Sequence, residues 1–305
     1  FKQKTAYEIM PSLVGSEMCI RDSLDSALAG NRRDLARMLT LIENGGAFDI
    51  PEQSPWTLGV TGPPGVGKST LIGRLISNWA DRGERIAVLA VDPSSPRSGG
   101  ALLADRMRMS TADSNDSVFV RSLATRNHPG GLVSCLSPMI DALAACGWSR
   151  IVIETVGAGQ AEIRVVAFAD RILLVDGPDR GDIVQAEKAG IMELADIVAI
   201  NKSDIPNSQQ AADSVRAALE VGGDSSVTVH LVSAHDGSGI IELLDTIESC
   251  PASGARDRLR VRERLLSAWD SRLLAHPRLN EVIDALETGS ITLDEAVEIV
   301  GLSED

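Results

Sequence analysis

Short, largely apolar runs recur along the chain, at residues 57–60, 85–91, 118–120, 151–153, 172–175, 197–200 and 227–232. A run without polar alternation is what a strand covered on both faces of a parallel sheet requires. Stretches with helical periodicity lie between most of them, at residues 70–79, 132–146, 209–221 and 240–249. Strand and helix in alternation predict an α/β fold, a doubly wound and mostly parallel sheet whose ligand sits at the carboxyl ends of the strands.

Two regions depart from that rhythm. Leu24, Leu28, Leu35, Leu39 and Leu41, interleaved with Arg32, Arg33 and Arg37, predict one or two short helices ended by Gly45-Gly46. Beyond Pro251 the pattern predicts arginine-rich helices over 256–275, 277–288 and 293–300, the last opened by a capping box of Thr292 and Glu295. These are too few for a stable domain, so they are expected to pack on the sheet or on a second subunit. The expected division is a helical segment at 24–55, a nucleotide domain at 56–250 and a helical arm at 251–305.

Residues 1–23 read differently from the rest. Lys2 to Glu8 translate a DNA string resembling a short-read sequencing adaptor, and Val14 to Ser23 one resembling a transposon end used in library preparation. We expect this segment to be read-through, with natural sequence starting near Leu24, and it is excluded from fold reasoning. Its three acidic and three basic residues cancel, so the net charge is unaffected.

With 305 residues, 44% of them hydrophobic, the chain can bury a core as one large or two modest domains. A net charge of −14 repels nucleic acid and anionic membrane, so neither is an expected partner. No apolar run reaches the roughly 18–20 residues of a membrane span. The four cysteines form no C-x-x-C pair, which suits reduced thiols in a cytoplasmic protein. With the natural start expected to be missing, the sequence says nothing of an organelle signal. Histidines 128, 230, 235 and 276 have no metal-site spacing.

Chemistry concentrates after the first run. Gly62-Pro63-Pro64-Gly65-Val66-Gly67-Lys68-Ser69, followed by Thr70, fits G-x-x-x-x-G-K-S. That spacing rings a phosphate with backbone N–H groups at a helix N-terminus, lets Lys68 reach the β- and γ-phosphates and lets Ser69 ligate Mg²⁺. Asn201-Lys202-Ser203-Asp204 fits N-K-x-D directly after a buried run, and Ser233-Ala234 follows as the third base-binding element by order. A carboxylate at Asp204 in the base plane accepts from guanine N1–H and the 2-amino group, neither of which adenine offers there. That predicts GTP and GDP as ligands. Glu154, at a predicted strand tip, can hold Mg²⁺ through water, and the Gly157 N–H is placed to sense the γ-phosphate. For Asp92 and Asp105, thirteen positions apart, two readings stay open: both face Mg²⁺, or Asp92 caps a helix and Asp105 is solvated.

The stretches GPPGVGKST, VDPSSPRSGGALLADRMRM, ETVGAGQAE, GDIVQAEKAGIMELADI and NKSD together resemble the MeaB/ArgK GTPases, G-protein chaperones of cobalamin-dependent acyl-CoA mutases such as methylmalonyl-CoA mutase. The resemblance runs from Leu24 to the C-terminus. It implies a SIMIBI-type G domain and a Mg²⁺-dependent hydrolysis of GTP that gates adenosylcobalamin loading and protects the mutase, with a cobalamin adenosyltransferase as a further partner. It places Asp92 and Asp105 in a first switch, Glu154 to Glu162 in a second, and Asp182, Gln185 and Lys188 in a third that faces the mutase. It makes residues 251–305 the arm of a homodimer. Ala158 stands where a water-orienting glutamine is usual and Gln160 lies two residues further on, so slow turnover by the free protein is expected. Other readings are a nickel-delivering maturation GTPase, which would normally carry a His/Cys cluster, and a transport-linked ATPase or kinase, against which Asp204 speaks.

Overall fold

The computed structural model describes residues 24–46, 48–50, 53, 55–92, 116–124, 133–155, 160–178, 192–222, 226–252, 257–274 and 276–301. Asp105, Gly157, Asp182, Gln185, Lys188 and the segment 1–23 lie outside them, as do the side chains of Asp92 and Gln160.

Seven strands form one parallel sheet: β1 Trp56–Thr61, β2 Ile86–Asp92, β3 Val118–Ala124, β4 Arg150–Thr155, β5 Arg171–Asp176, β6 Ile197–Ile200 and β7 Thr228–Leu231, in the order β3-β2-β4-β1-β5-β6-β7. Helices α1 Arg32–Glu43, α2 Lys68–Asp81, α3 Val133–Ala145, α4 Gln160–Val166, α5 Ser208–Val221 and α6 Ile240–Ser249 cover it. Alternate residues of each strand face opposite layers. Leu58, Val60, Val152, Leu173 and Val175 join α2 and α6 in one buried cluster. Ile151 and Ile153 pack with α1 and α3, and Ile172 and Leu174 with α5, on the other side. This is the doubly wound fold that the apolar runs predict.

Local chemistry explains the elements. On α2, Leu71, Ile72, Leu75, Ile76 and Trp79 form one apolar stripe against the sheet. The Asn31 side chain accepts from the N–H groups of Arg33 and Asp34 and so starts α1. Gly59 lies under α4, where a Cβ would come within 2.9 Å of the Val166 Cβ, so its lack of a side chain sets how closely helix and strand pack.

The sequence placed β3 at 118–120, but the strand continues to Ala124, in register with β2 throughout. Arg121 breaks the apolar run without breaking the strand. Its guanidinium pairs with the Glu43 carboxylate and donates to the Ala36 carbonyl, so α1 satisfies the charge at the sheet edge.

The C-terminal helix α7 Asp257–Leu274 packs on α3 and α4, two of the helices that cover the sheet. Its buried Arg260 donates to the carbonyls of Asp170 and Leu194 and pairs with the Asp196 carboxylate. Arg264 donates to the Ala167 carbonyl at 2.6 Å, and Arg164 of α4 pairs with Asp270. Helices α8 Leu279–Glu287 and α9 Leu293–Gly301 follow, and the Thr292–Glu295 capping box forms in both directions, at 2.8 and 3.3 Å.

Candidate nucleotide site

The sheet order places β4, β1, β5, β6 and β7 side by side. Their carboxyl ends therefore carry Glu154, the glycine-rich loop, Asp176, Asn201 and Ser233 along one edge, although 79 positions separate Glu154 from Ser233 in sequence. Parallel strands make this happen, because every carboxyl end emerges on the same side.

The loop from Gly62 to Gly67 needs its glycines where the backbone turns. Gly62 has φ +147°, and a Cβ there would lie 2.0 Å from the Val175 carbonyl oxygen. Gly67 has φ +92° at the N-cap of α2, with the Asn201 Nδ2 2.5 Å from any Cβ. Lys68 opens the helix, buried, and its Nζ donates to the carbonyls of Gly62 at 2.6 Å and Pro63 at 2.9 Å. Val66 anchors the loop tip in the α2 cluster. Gly65, Ser69 and Thr70 complete the stretch, with Ser69 in the first helical turn, where N–H groups have no partner within the helix. This helix start can cradle a phosphate chain.

One side chain ties this loop to the other elements. Asn201, 2% exposed, donates through Nδ2 to the Val66 carbonyl at 2.8 Å and accepts at Oδ1 from the Ala234 N–H at 3.0 Å. Lys202 then takes the left-handed conformation, φ +63°, which turns the chain sharply after β6. Asp204 stands exposed past that turn, and Ser233 Oγ donates to its Oδ1 at 2.7 Å. The carboxylate is thus held by the same loop that carries Ala234.

Ser69 Oγ donates to Glu154 Oε1 at 2.6 Å, joining the first turn of α2 to the end of β4. Glu154 is 1% exposed, and its Oε2 is buried with no hydrogen-bond partner among the described residues. Burial pushes its pKa above the ordinary carboxylate range, opposed by the Ser69 hydrogen bond and the nearby charge of Lys68. A buried carboxylate oxygen left open beside a hydroxyl fits a Mg²⁺ ion held through water. No group of three or more His, Cys, Asp or Glu side chains able to hold a metal ion occurs among the described residues. A metal carried by one hydroxyl, phosphate oxygens and water does not need one. Asp92 ends β2, two strands from β1, and Gln160 opens α4.

Two participants escaped the sequence reading. Thr155 Oγ1 donates to Thr61 Oγ1 at 3.0 Å, linking the ends of β4 and β1 directly below the phosphate loop. Arg74, on α2, donates to the carbonyls of Ala234 at 2.9 Å and His235 at 2.6 Å. Arg74 belongs to no spaced motif, and Thr155, although inside the ETVGAGQAE stretch, carries no role of its own in that pattern. Among the cysteines, burial pushes the Cys135 thiol up to about 12, which suits a packed, unreactive side chain rather than a nucleophile.

A Pyrococcus abyssi protein named as a GTPase is 41% identical over 213 residues, which are 67% of this chain and 66% of that one. The chain spans just under two thirds of that relative, and 61% of the length of a Pyrococcus horikoshii counterpart. The fused isobutyryl-CoA mutase of Cupriavidus metallidurans is 38% identical over 201 residues, 62% of this chain and 18% of that one. The crystal structure of an LAO/AO transport system kinase superposes with a TM-score of 0.64 over 93% of this chain and 97% of that chain; at 22% identity it speaks for the fold alone. Residues 35–270 match the family described as methylmalonyl-CoA mutase-associated GTPase MeaB, and with the phosphate loop, the Asn201 bridge and the Asp204 carboxylate on one sheet edge, the chain belongs to that family.

Proposed function

We propose that this GTPase hydrolyses GTP to GDP and phosphate with Mg²⁺ and acts as a chaperone of an adenosylcobalamin-dependent acyl-CoA mutase. In this reading it gates cofactor loading and protects the mutase. The observation that carries the nucleotide half is the Asn201 bridge, which couples the phosphate loop to the base loop through one buried amide. Phosphate and base are then gripped by parts that cannot shift independently.

Within this proposal Ser69 and Glu154 would hold Mg²⁺, with Asp92 and Asp105 as further candidates. The ion would offset charge building on the transferred phosphoryl oxygens. Lys68 binds the β- and γ-phosphates, and its carbonyl contacts keep the ammonium aimed along the loop. Gln160, as the first residue of α4, is the candidate for orienting water, and Gly157 for sensing the γ-phosphate.

The mutase half draws support from the family's description and from a relative in which a homologous segment belongs to a single chain with an isobutyryl-CoA mutase. The third switch, with Asp182, Gln185 and Lys188, is proposed as the segment that meets the mutase, and an adenosyltransferase as the source of cofactor. A homodimer is proposed through α7, whose Val261, Leu265 and Trp269 recur every four residues and are 59%, 67% and 54% exposed while Arg260 faces inward. The domain division proposed is 24–55, 56–250 and 251–305, in the cytoplasm. Calorimetry tests the nucleotide half: GTP should bind far more tightly than ATP and Mg²⁺ should strengthen it, whereas equal binding of the two would exclude the guanine site.

A further inference from the structure

We infer that Arg74 is a positioning residue for guanine discrimination, acting through the loop that holds Asp204. Ala234 is gripped on both sides of its backbone: its N–H goes to Asn201 Oδ1 at 3.0 Å, and its carbonyl accepts from Arg74 Nε at 2.9 Å. The next carbonyl, of His235, accepts from a second nitrogen of the same guanidinium at 2.6 Å. Two donors of one planar group on two successive carbonyls fix orientation as well as distance.

The loop is closed on itself. Ser233 N–H donates to the Ser238 carbonyl at 2.9 Å, Gly237 N–H to the Ser233 carbonyl at 2.8 Å, and Ser238 N–H to Asp236 Oδ1 at 2.8 Å. It therefore moves as a unit, and its placement depends on its outer tethers. Asn201 provides one from the end of β6, and Arg74 provides another from α2. Arg74 stands six residues beyond Lys68 on the same helix, so the element that receives the phosphates also sets where the base loop lies.

The consequence reaches Asp204 through Ser233, whose hydroxyl donates to Asp204 Oδ1 at 2.7 Å. Accepting from guanine N1–H and the 2-amino group together requires both carboxylate oxygens in the base plane. Without Arg74 the loop can pivot about the Asn201 tether, the Ser233 contact loosens, and the carboxylate keeps one bond in place of two.

The inference rests on the guanine reading of Asp204, and inosine triphosphate separates the two because its base lacks only the 2-amino group. With kcat and KM measured for GTP and ITP, Arg74→Ala should lower kcat/KM for GTP about tenfold through KM, and that for ITP much less. Arg74→Lys should fall between, since an ammonium cannot match two carbonyls in a fixed fork. Both variants should keep the wild-type melting temperature. A GTP-to-ITP ratio unchanged in Arg74→Ala would overturn the inference while leaving Asp204 as the reader. Wild-type protein indifferent to GTP, ITP and ATP would remove the guanine reading itself, and the inference with it.

Discussion

Ser69 and Glu154, 85 positions apart in the chain, meet through a 2.6 Å hydrogen bond that closes the phosphate loop against β4. Glu154 is buried, and desolvation raises its pKa in the folded chain. A carboxyl with a raised native pKa binds more protons folded than unfolded between the two values. Stability should therefore fall as pH rises from the ordinary glutamate value of about 4.3 through the raised native one, and flatten above it. Melting temperature against pH should show this slope in nucleotide-free wild type and lose it in Glu154→Gln. The variant should also forfeit Mg²⁺-dependent hydrolysis by about 100-fold or more. A retained slope would assign it to another group.

Lys68 is held by the Gly62 and Pro63 carbonyls at the mouth of the loop. Lys68→Ala should lower kcat for GTP by about 100- to 1000-fold, because the charge is aimed where negative charge develops. Single-turnover measurement at saturating nucleotide checks this. Turnover near wild type would take Lys68 out of the chemistry.

Asp204 should distinguish bases through its carboxylate. Asp204→Asn is expected to weaken GTP about 100-fold and to favour xanthosine triphosphate, whose base has a carbonyl where guanine has its amino group. Ser233→Ala, which leaves Asp204 unsupported, should weaken GTP in the same direction by only about fivefold. Calorimetric titration with each nucleotide reads both, and an unchanged GTP preference in Asp204→Asn would contradict the assignment.

The outer face of α7 offers a separate check. Leu265 and Trp269 are exposed, so replacing both with glutamate should barely change the melting temperature of a monomer yet abolish a dimer built on this face. Sedimentation of the double variant should give the monomer mass where wild type gives twice that. Equal masses would move the interface elsewhere.

The doubly wound parallel sheet was legible because buried parallel strands leave unbroken apolar runs, as at 172–175 and 197–200, whereas the order of its strands appears only in the structure. The end of β3 was hidden because Arg121 looks like a strand terminator until Glu43 of α1 is seen to neutralise it. Lys68, Asn201 and Asp204 stood out because they sit in short stretches of fixed spacing, and the sheet brings those stretches to one edge. Arg74 did not, since its partners are carbonyls about 160 positions away, and a carbonyl belongs to every residue type. Arg260 was visible only as part of an arginine-rich helix; its partner Asp196 is paired by the fold and by no local pattern.

The most direct test of the account is GTP turnover by the full chain as an adenosylcobalamin-dependent mutase is titrated in. Alone the protein should hydrolyse GTP slowly, and saturating methylmalonyl-CoA or isobutyryl-CoA mutase should raise kcat by about tenfold or more, as partner completion of a GTPase site does. A rate unmoved by either mutase, with the mutase shown to be active, would contradict the chaperone role and leave a free-standing GTPase.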